Sequence, residues 1–175
     1  MYTISHDTPV GRLTLAADDQ GLRHIVFPCG SRAFEIPQHW QRCAAEFDQL
    51  RFQLDEYFSG IRRVFSVKVA PEGTVFQKRV WQALGSIEYA STCSYGDIAR
   101  AIGRPTASRA VGAANGANPV PIVIPCHRVI GASGKLTGFG GGLPTKHWLL
   151  AHERGEGQLF GIEPTSQSDD RRNLV

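Results

Sequence analysis

Between Asn118 and Ile130 the chain reads NPVPIVIPCHRVI. Prolines at 119, 121 and 125 remove backbone donors and clash with a preceding helical turn, so a helix cannot run through this stretch. Extended segments held by turns are expected instead. The glycine-rich GFGGG at 138–142 reads as a flexible loop beside it.

Elements on either side are read from periodicity and punctuation. Segments 1–5, 12–17 and 22–27 cluster or alternate apolar residues, with Gly11 and Gly21 as turn marks, and read as short strands. Residues 38–58 suit a helix, with Phe47, Leu50, Leu54 and Phe58 at helical spacing and Ser59-Gly60 as its end. Val67 to Val69 form a further candidate strand, and Pro71-Glu72-Gly73 a boundary. The texture then changes. Thr74 with Gln77 makes a capping box for a helix to about Leu84, and Ser94 with Asp97 resembles a second cap, for a helix through Ile102. Gly103-Arg104-Pro105 breaks that helix, and Thr106 is the expected cap of a third, with Ala107, Ala110, Val111 and Ala114 on one face. Two short helices joined by a glycine-containing turn form the helix-turn-helix pattern. A last helix starts near Pro144 and stops at Gly155.

The expected fold is α+β. A small N-terminal α/β domain with an antiparallel sheet (1–73) supports a mostly helical, winged helix-turn-helix domain (74–165), and 166–175 form a flexible tail. Trp81, Leu84, Ile98, Ile102, Val111, Val123 and Leu149 are its candidate core.

With 42% hydrophobic and 20% charged residues, the composition is that of a soluble globular chain. No run reaches the ~18 apolar residues of a membrane span. The N-terminus lacks the basic and apolar blocks of a secretory signal, so a cytoplasmic location and no membrane partner are expected. Charge is uneven. Residues 1–75 carry eight basic and nine acidic side chains, and 76–165 carry nine and five. The basic second part hints at an anionic partner such as nucleic acid. Cys29, Cys43, Cys93 and Cys126 form no CxxC pair, which argues against a redox motif or a zinc ribbon. His6, His24 and His39 with Cys29 and Cys43 match no zinc spacing, and no glycine loop for a nucleotide is present. No metal and no cofactor are expected.

The sharpest chemistry lies at Cys126-His127. A thiol becomes a good nucleophile as thiolate, and an imidazole can take its proton. Neighbouring side chains on an extended strand point to opposite faces, so the pair needs a local turn or a bridging water. On spacing alone, a buried structural cysteine beside a surface histidine fits equally well.

The longer pattern is more specific. IPCHRV at 124–129, preceded by NPVP at 118–121 and followed by GGG at 140–142, resembles the active-site region of the O6-alkylguanine-DNA alkyltransferases. The likeness extends back through FQKRVW (76–81), SYG (94–96) and SRAVG (108–112), and forward to WLLAHE (148–153). It spans about residues 74–155, while residues 1–73 match in general character, with GRLTL at 11–15 similar to an early strand. The resemblance implies stoichiometric, irreversible transfer of an alkyl group from guanine O6, or alkylated thymine O4, to Cys126. It implies that His127 is the base, acting through water, and that Glu153 orients it. Asn118 would hold the active-site loop, and Tyr95 would protonate the departing base. The carbonyls of Cys126 and Val129 would meet the guanine amine, and an N–H near Gly140 would donate to O6, with Gly140 and Gly141 leaving room. Phe139 stands where the family often has tyrosine and would wall the pocket. Arg109 would fill the gap left by a base turned out of the stack, with Ser94, Ala110 and Gly112 close to DNA. The partner implied is double-stranded DNA containing alkylated guanine, bound by a monomer in the minor groove, and cooperative assembly stays open.

Two other classes compete. A lesion-binding module without chemistry would need no acceptor, and Cys126 argues against it. A cysteine hydrolase built from Cys126, His127 and Glu153 would turn over, and one-to-one stoichiometry separates it from alkyl transfer.

Overall fold

The computed structural model describes residues 1–28, 37 and 39–156. Three strands, β1 (Tyr2–Thr8), β2 (Gly11–Asp18) and β3 (Gly21–Val26), form an antiparallel meander. Gly11 and Gly21 adopt φ of 100° and 132°, which only glycine takes without strain at the turns that open β2 and β3. Alternation along β2 turns Leu13 and Leu15 into the core, and a register shift opposite Ala16/Ala17 lets Leu22 and Ile25 of β3, three residues apart, both face it.

The helix expected over 38–58 holds only in its second half. Residues Gln41–Arg42 form β4, parallel to the outer edge of β1, and α1 runs over Asp48–Phe58 after a 3-10 turn at Ala45–Phe47. The edge of β1 decides this. Gln41 N–H donates to Met1 O and Cys43 N–H to Thr3 O, so carbonyls that the meander leaves open take over a stretch of helical pattern. The sheet, in order β3-β2-β1-β4, is therefore mixed rather than purely antiparallel. On the other edge, Leu22 N–H donates to Lys68 O and Ala70 N–H to Leu22 O, so 67–69 contributes one short bridge rather than a strand.

In the helical part, α2 (Val75–Leu84) and α3 (Tyr95–Ala101) both begin with the capping boxes read from the sequence, Thr74 with Gln77 and Ser94 with Asp97. Gly103, at φ 68°, turns the chain into α4 (Ser108–Gly116). Thr106 does not cap it. Ala107 holds the N-cap position without a side-chain bond, because the Arg104–Ala107 turn (Ala107 N–H to Arg104 O) delays the helix. Helix α5 (Leu143–Glu153) starts with proline in its first turn, and Gly155, at φ 75°, turns the chain away just past its end. Two-residue strands β5 (Cys93–Ser94) and β6 (Val129–Ile130) pair in parallel and fix the chain around Cys126 against the start of α3.

Six of the seven candidate core residues are buried. Val123 is half-buried and packs at the core's margin. Its neighbour Ile122 takes the inward position at φ 73°, which points Val123 partly outward. One hydrophobic cluster runs from Leu13 on the sheet, through Tyr57 on α1 and Trp81 on α2, to Leu149 on α5. Trp81 also donates its indole N–H to Ala114 O at 2.8 Å and so ties α2 to α4. The expected tail, 166–175, and Cys29 lie outside the described residues. Among the described residues no helix is long and apolar enough to cross a membrane.

Candidate active site

The turn that Cys126-His127 needs is present. Residues Cys126–Arg128 form a 3-10 turn after Pro125, so the cysteine and histidine side chains are not forced to opposite faces. Both are buried, at 3% and 0% exposure, as is Glu153 at the end of α5. His127 Nε2 lies 2.8 Å from Glu153 Oε1. A carboxylate only accepts, so Nε2 carries the proton and the neutral ring presents Nδ1 as an acceptor. That Nδ1 is buried and has no partner among the described residues. Burial also lowers the pKa of His127 against the pull of Glu153, which keeps the ring neutral.

Glu153 is held from several sides. Arg128 donates from Nε to Oε2 and from Nη2 to Oε1, both at 2.9 Å, Tyr57 OH donates to Oε1 at 2.8 Å and Ala90 N–H to Oε2 at 3.1 Å. Burial works against the charge, yet hydrogen bonds from His127 and Arg128 outweigh it and hold the carboxyl at about 2. Tyr57 comes from α1, so the N-terminal part supplies a direct contact to this carboxylate.

Burial pushes the Cys126 thiol above its ordinary range, while a hydrogen bond from Asn118 and the positive charge of Lys146 act the other way. Asn118 shapes the loop as the sequence suggested. Its Nδ2 donates to Ile124 O at 2.8 Å and its Oδ1 accepts from Val120 N–H at 3.0 Å. Lys146 was not foreseen. It is fully buried on α5, and its ammonium donates to Val129 O at 2.6 Å and Thr137 O at 2.8 Å. Burial pulls it down to about 8, with the charge of Cys126 opposing. Asn115 was missed as well. It is buried on α4, donates to Cys126 O at 3.3 Å, and its own Oδ1 has no partner among the described residues. The carbonyls of Cys126 and Val129 are thus both engaged within the protein, the first also by Val129 N–H.

Other expected site residues fall around this centre. Tyr95, the first residue of α3, places its hydroxyl 2.8 Å from Thr137 Oγ1. Phe139 is buried, edge-on to Phe27 at 5.4 Å and to His127 at 6.4 Å between ring centres. Gly140 is exposed, and a Cβ there would meet nothing within 4 Å. Gly141 is required by packing, since a Cβ would lie 2.7 Å from the Phe27 ring. The Ser94 hydroxyl is occupied by its cap, bonding Asp97 Oδ2 at 2.7 Å and Asp97 N–H at 3.1 Å. Gly112 backs the Tyr95 ring, with a Cβ position 3.7 Å from it. On α4, Arg109, Ala110, Ala113 and Gly116 form the exposed face, a thin surface carrying one arginine. Arg109 makes no hydrogen bond or ion pair among the described residues. His6, from the weighed zinc set, is bonded to Asp55 at 2.8 Å, and no three metal-ligating side chains converge among the described residues.

Two family models match the chain. The 6-O-methylguanine DNA methyltransferase DNA binding domain covers residues 75–155, and the ribonuclease-like domain of the same methyltransferase covers 1–71. The chain belongs to the 6-O-methylguanine DNA methyltransferase family. A methylated-DNA–protein-cysteine methyltransferase of Methanosarcina acetivorans is 49% identical over 87% of this chain and 98% of its own length. One from Mycolicibacterium paratuberculosis is 49% identical over 85% and 89%. Among solved structures, Mycobacterium tuberculosis OGT in complex with DNA superposes with a TM-score of 0.83 at 45% identity, over 89% of this chain and 94% of that one. Membership in this methyltransferase family thus extends over the sheet as well as the helices, beyond the 74–155 stretch that carried the resemblance.

Proposed function

We propose that this chain is a direct-reversal DNA-repair protein of the cytoplasm, which moves an alkyl group from guanine O6, or thymine O4, in DNA onto the thiol of Cys126. The observation that carries the reading is a buried thiol next to a histidine whose Nε2 is locked on Glu153 and whose Nδ1 is left open. In this reading the S–C bond forms as the C–O6 bond breaks. The thiol proton passes, through a water, to His127 Nδ1, and Glu153 stabilises the resulting imidazolium. Guanine leaves with O6 as a carbonyl after a ring nitrogen gains a proton from Tyr95. The product is a thioether, which water does not cleave, so each molecule acts once.

The rest of the proposal follows from reach. O6 inside a duplex is sheltered, so the base must turn out of the stack. The thin face of α4 suits a narrow groove, with Arg109 filling the gap and phosphate contacts supplying most affinity. Ala110, Gly112 and Ser94 stand near the backbone, and Phe139 walls the pocket, with an N–H near Gly140 open to O6. For the Cys126 and Val129 carbonyls to meet the guanine amine, the base must share or displace Asn115 and Lys146. Residues 1–73 act as support, and Tyr57, on Glu153, and Phe27, on Phe139, link them to the centre.

The test is intact mass after incubation with excess DNA containing O6-methylguanine, beside a Cys126→Ser control. The expected result is one added CH₂ per molecule, absent in the control. Tight binding to the lesion without mass gain would favour a lesion-binding module, and repeated turnover of an acyl substrate would favour a hydrolase.

A further inference from the structure

One hydroxyl beside Tyr95 has no role in the reaction above. Thr137 lies in the segment between β6 and α5 and is exposed, yet it is anchored from two sides. Its carbonyl accepts from the buried Lys146 ammonium at 2.8 Å, and that ammonium also holds Val129 O beside Cys126. Its Oγ1 sits 2.8 Å from the Tyr95 hydroxyl. The Tyr95 ring lies beside Gly112 of α4, where an added Cβ would make ordinary van der Waals contact at 3.7 Å. Among the described residues, Thr137 is the one side chain bonded to the Tyr95 oxygen.

We propose that Thr137 is the positioning residue for Tyr95. Its hydroxyl fixes the phenol oxygen and donates to it, which leaves the phenol proton for the departing base. An oxygen that accepts one hydrogen bond is a stronger donor of another. No bond to Thr137 changes in the reaction: the phenol proton goes to the ring nitrogen of the base, and the threonine keeps its own. The inference rests on the reading of Tyr95 as proton donor.

The experiment compares single-turnover methyl transfer from O6-methylguanine in DNA by wild type, Thr137→Val, Thr137→Ser, Tyr95→Phe and the Thr137→Val/Tyr95→Phe double variant. Alkylation of Cys126 by iodoacetamide is measured alongside. Valine is nearly isosteric, leaves the carbonyl bonded to Lys146, and stands at an exposed position. Loss of one hydrogen bond predicts a fall of about fivefold in Thr137→Val, with Thr137→Ser within about twofold of wild type. The valine change should cost nothing further once Tyr95 is phenylalanine, and iodoacetamide reactivity should not move, because the thiol is untouched. An equal loss in both backgrounds would overturn the inference and leave the Tyr95 reading standing. So would a wild-type rate in Thr137→Val beside a slow Tyr95→Phe. A wild-type rate in Tyr95→Phe would overturn the role of Tyr95 and the inference together.

Discussion

Glu153 shows how a residue that looks ordinary in sequence becomes central. It sits near a helix end, a common place for a solvated glutamate, yet His127, Arg128, Tyr57 and Ala90 all donate to it. A carboxyl held at about 2 against an ordinary 4.5 is depressed in the fold. Its stabilising contribution is therefore complete above 4.5 and is lost as pH falls toward 2. Urea unfolding at successive pH values should show the midpoint dropping in that window. Glu153→Gln should lose about 3–5 kcal/mol at neutral pH, since Arg128 would be left buried and unpaired, and should flatten the acid dependence. Lys146 makes the opposite kind of contribution, to reactivity. Its charge favours the Cys126 thiolate, so Lys146→Met should raise the thiol pKa further. Iodoacetamide should then react with Cys126 about tenfold more slowly at neutral pH, the equivalent of one pKa unit. An unchanged rate would assign Lys146 to holding the Val129 and Thr137 carbonyls alone.

At the scale of elements, what was legible followed from local chemistry. The Thr74 and Ser94 capping boxes, the Gly103 turn and the proline start of α5 each depend on side chains a few residues apart, and each is found where read. What was not legible depends on distant partners. Residues 41–42 become a strand because the edge of β1 has open carbonyls, and nothing in their own pattern says so. Tyr57 reaches a carboxylate 96 residues away, and Lys146 sits in the core because two carbonyls meet it there. A lysine in a helix reads as a solvated face until those carbonyls are known. Cys126 and His127 were legible as a neighbouring pair, while Asn115 and Lys146 were not. The two threonines make the lesson measurable. Thr74 accepts from Gln77 N–H at 3.2 Å, so Thr74→Ala should cost ~1 kcal/mol in denaturant unfolding. Thr106 caps nothing, and Thr106→Ala should fall within ~0.5 kcal/mol of wild type.

At the scale of the whole molecule, the acceptor is part of the core it would disturb. Cys126 belongs to the same hydrophobic cluster as Leu13, Trp81 and Leu149, so a group added to sulfur has no solvent to enter. Methylation also replaces the thiol hydrogen with a carbon and so changes the atom that Lys146 faces and Asn118 bonds. Its carbonyl is tied by Asn115 to α4, the helix that carries Arg109, so a shift at Cys126 is felt at the proposed DNA-binding face. Overpacking of this kind costs ~1–3 kcal/mol, which in a chain of this size corresponds to a fall in Tm of roughly 2–12 °C. The measurement is a thermal melt of protein reacted with O6-methylguanine DNA and then freed of it. Cys126→Ser carried through the same steps controls for the handling. A lower Tm in the reacted protein, together with weaker binding to undamaged DNA, is the expected pair of results. If Tm falls while DNA binding holds, the Asn115 tie does not reach α4. An unchanged Tm would mean that the pocket opens to take the methyl group, and that the buried Cys126 of the free protein is one of two states.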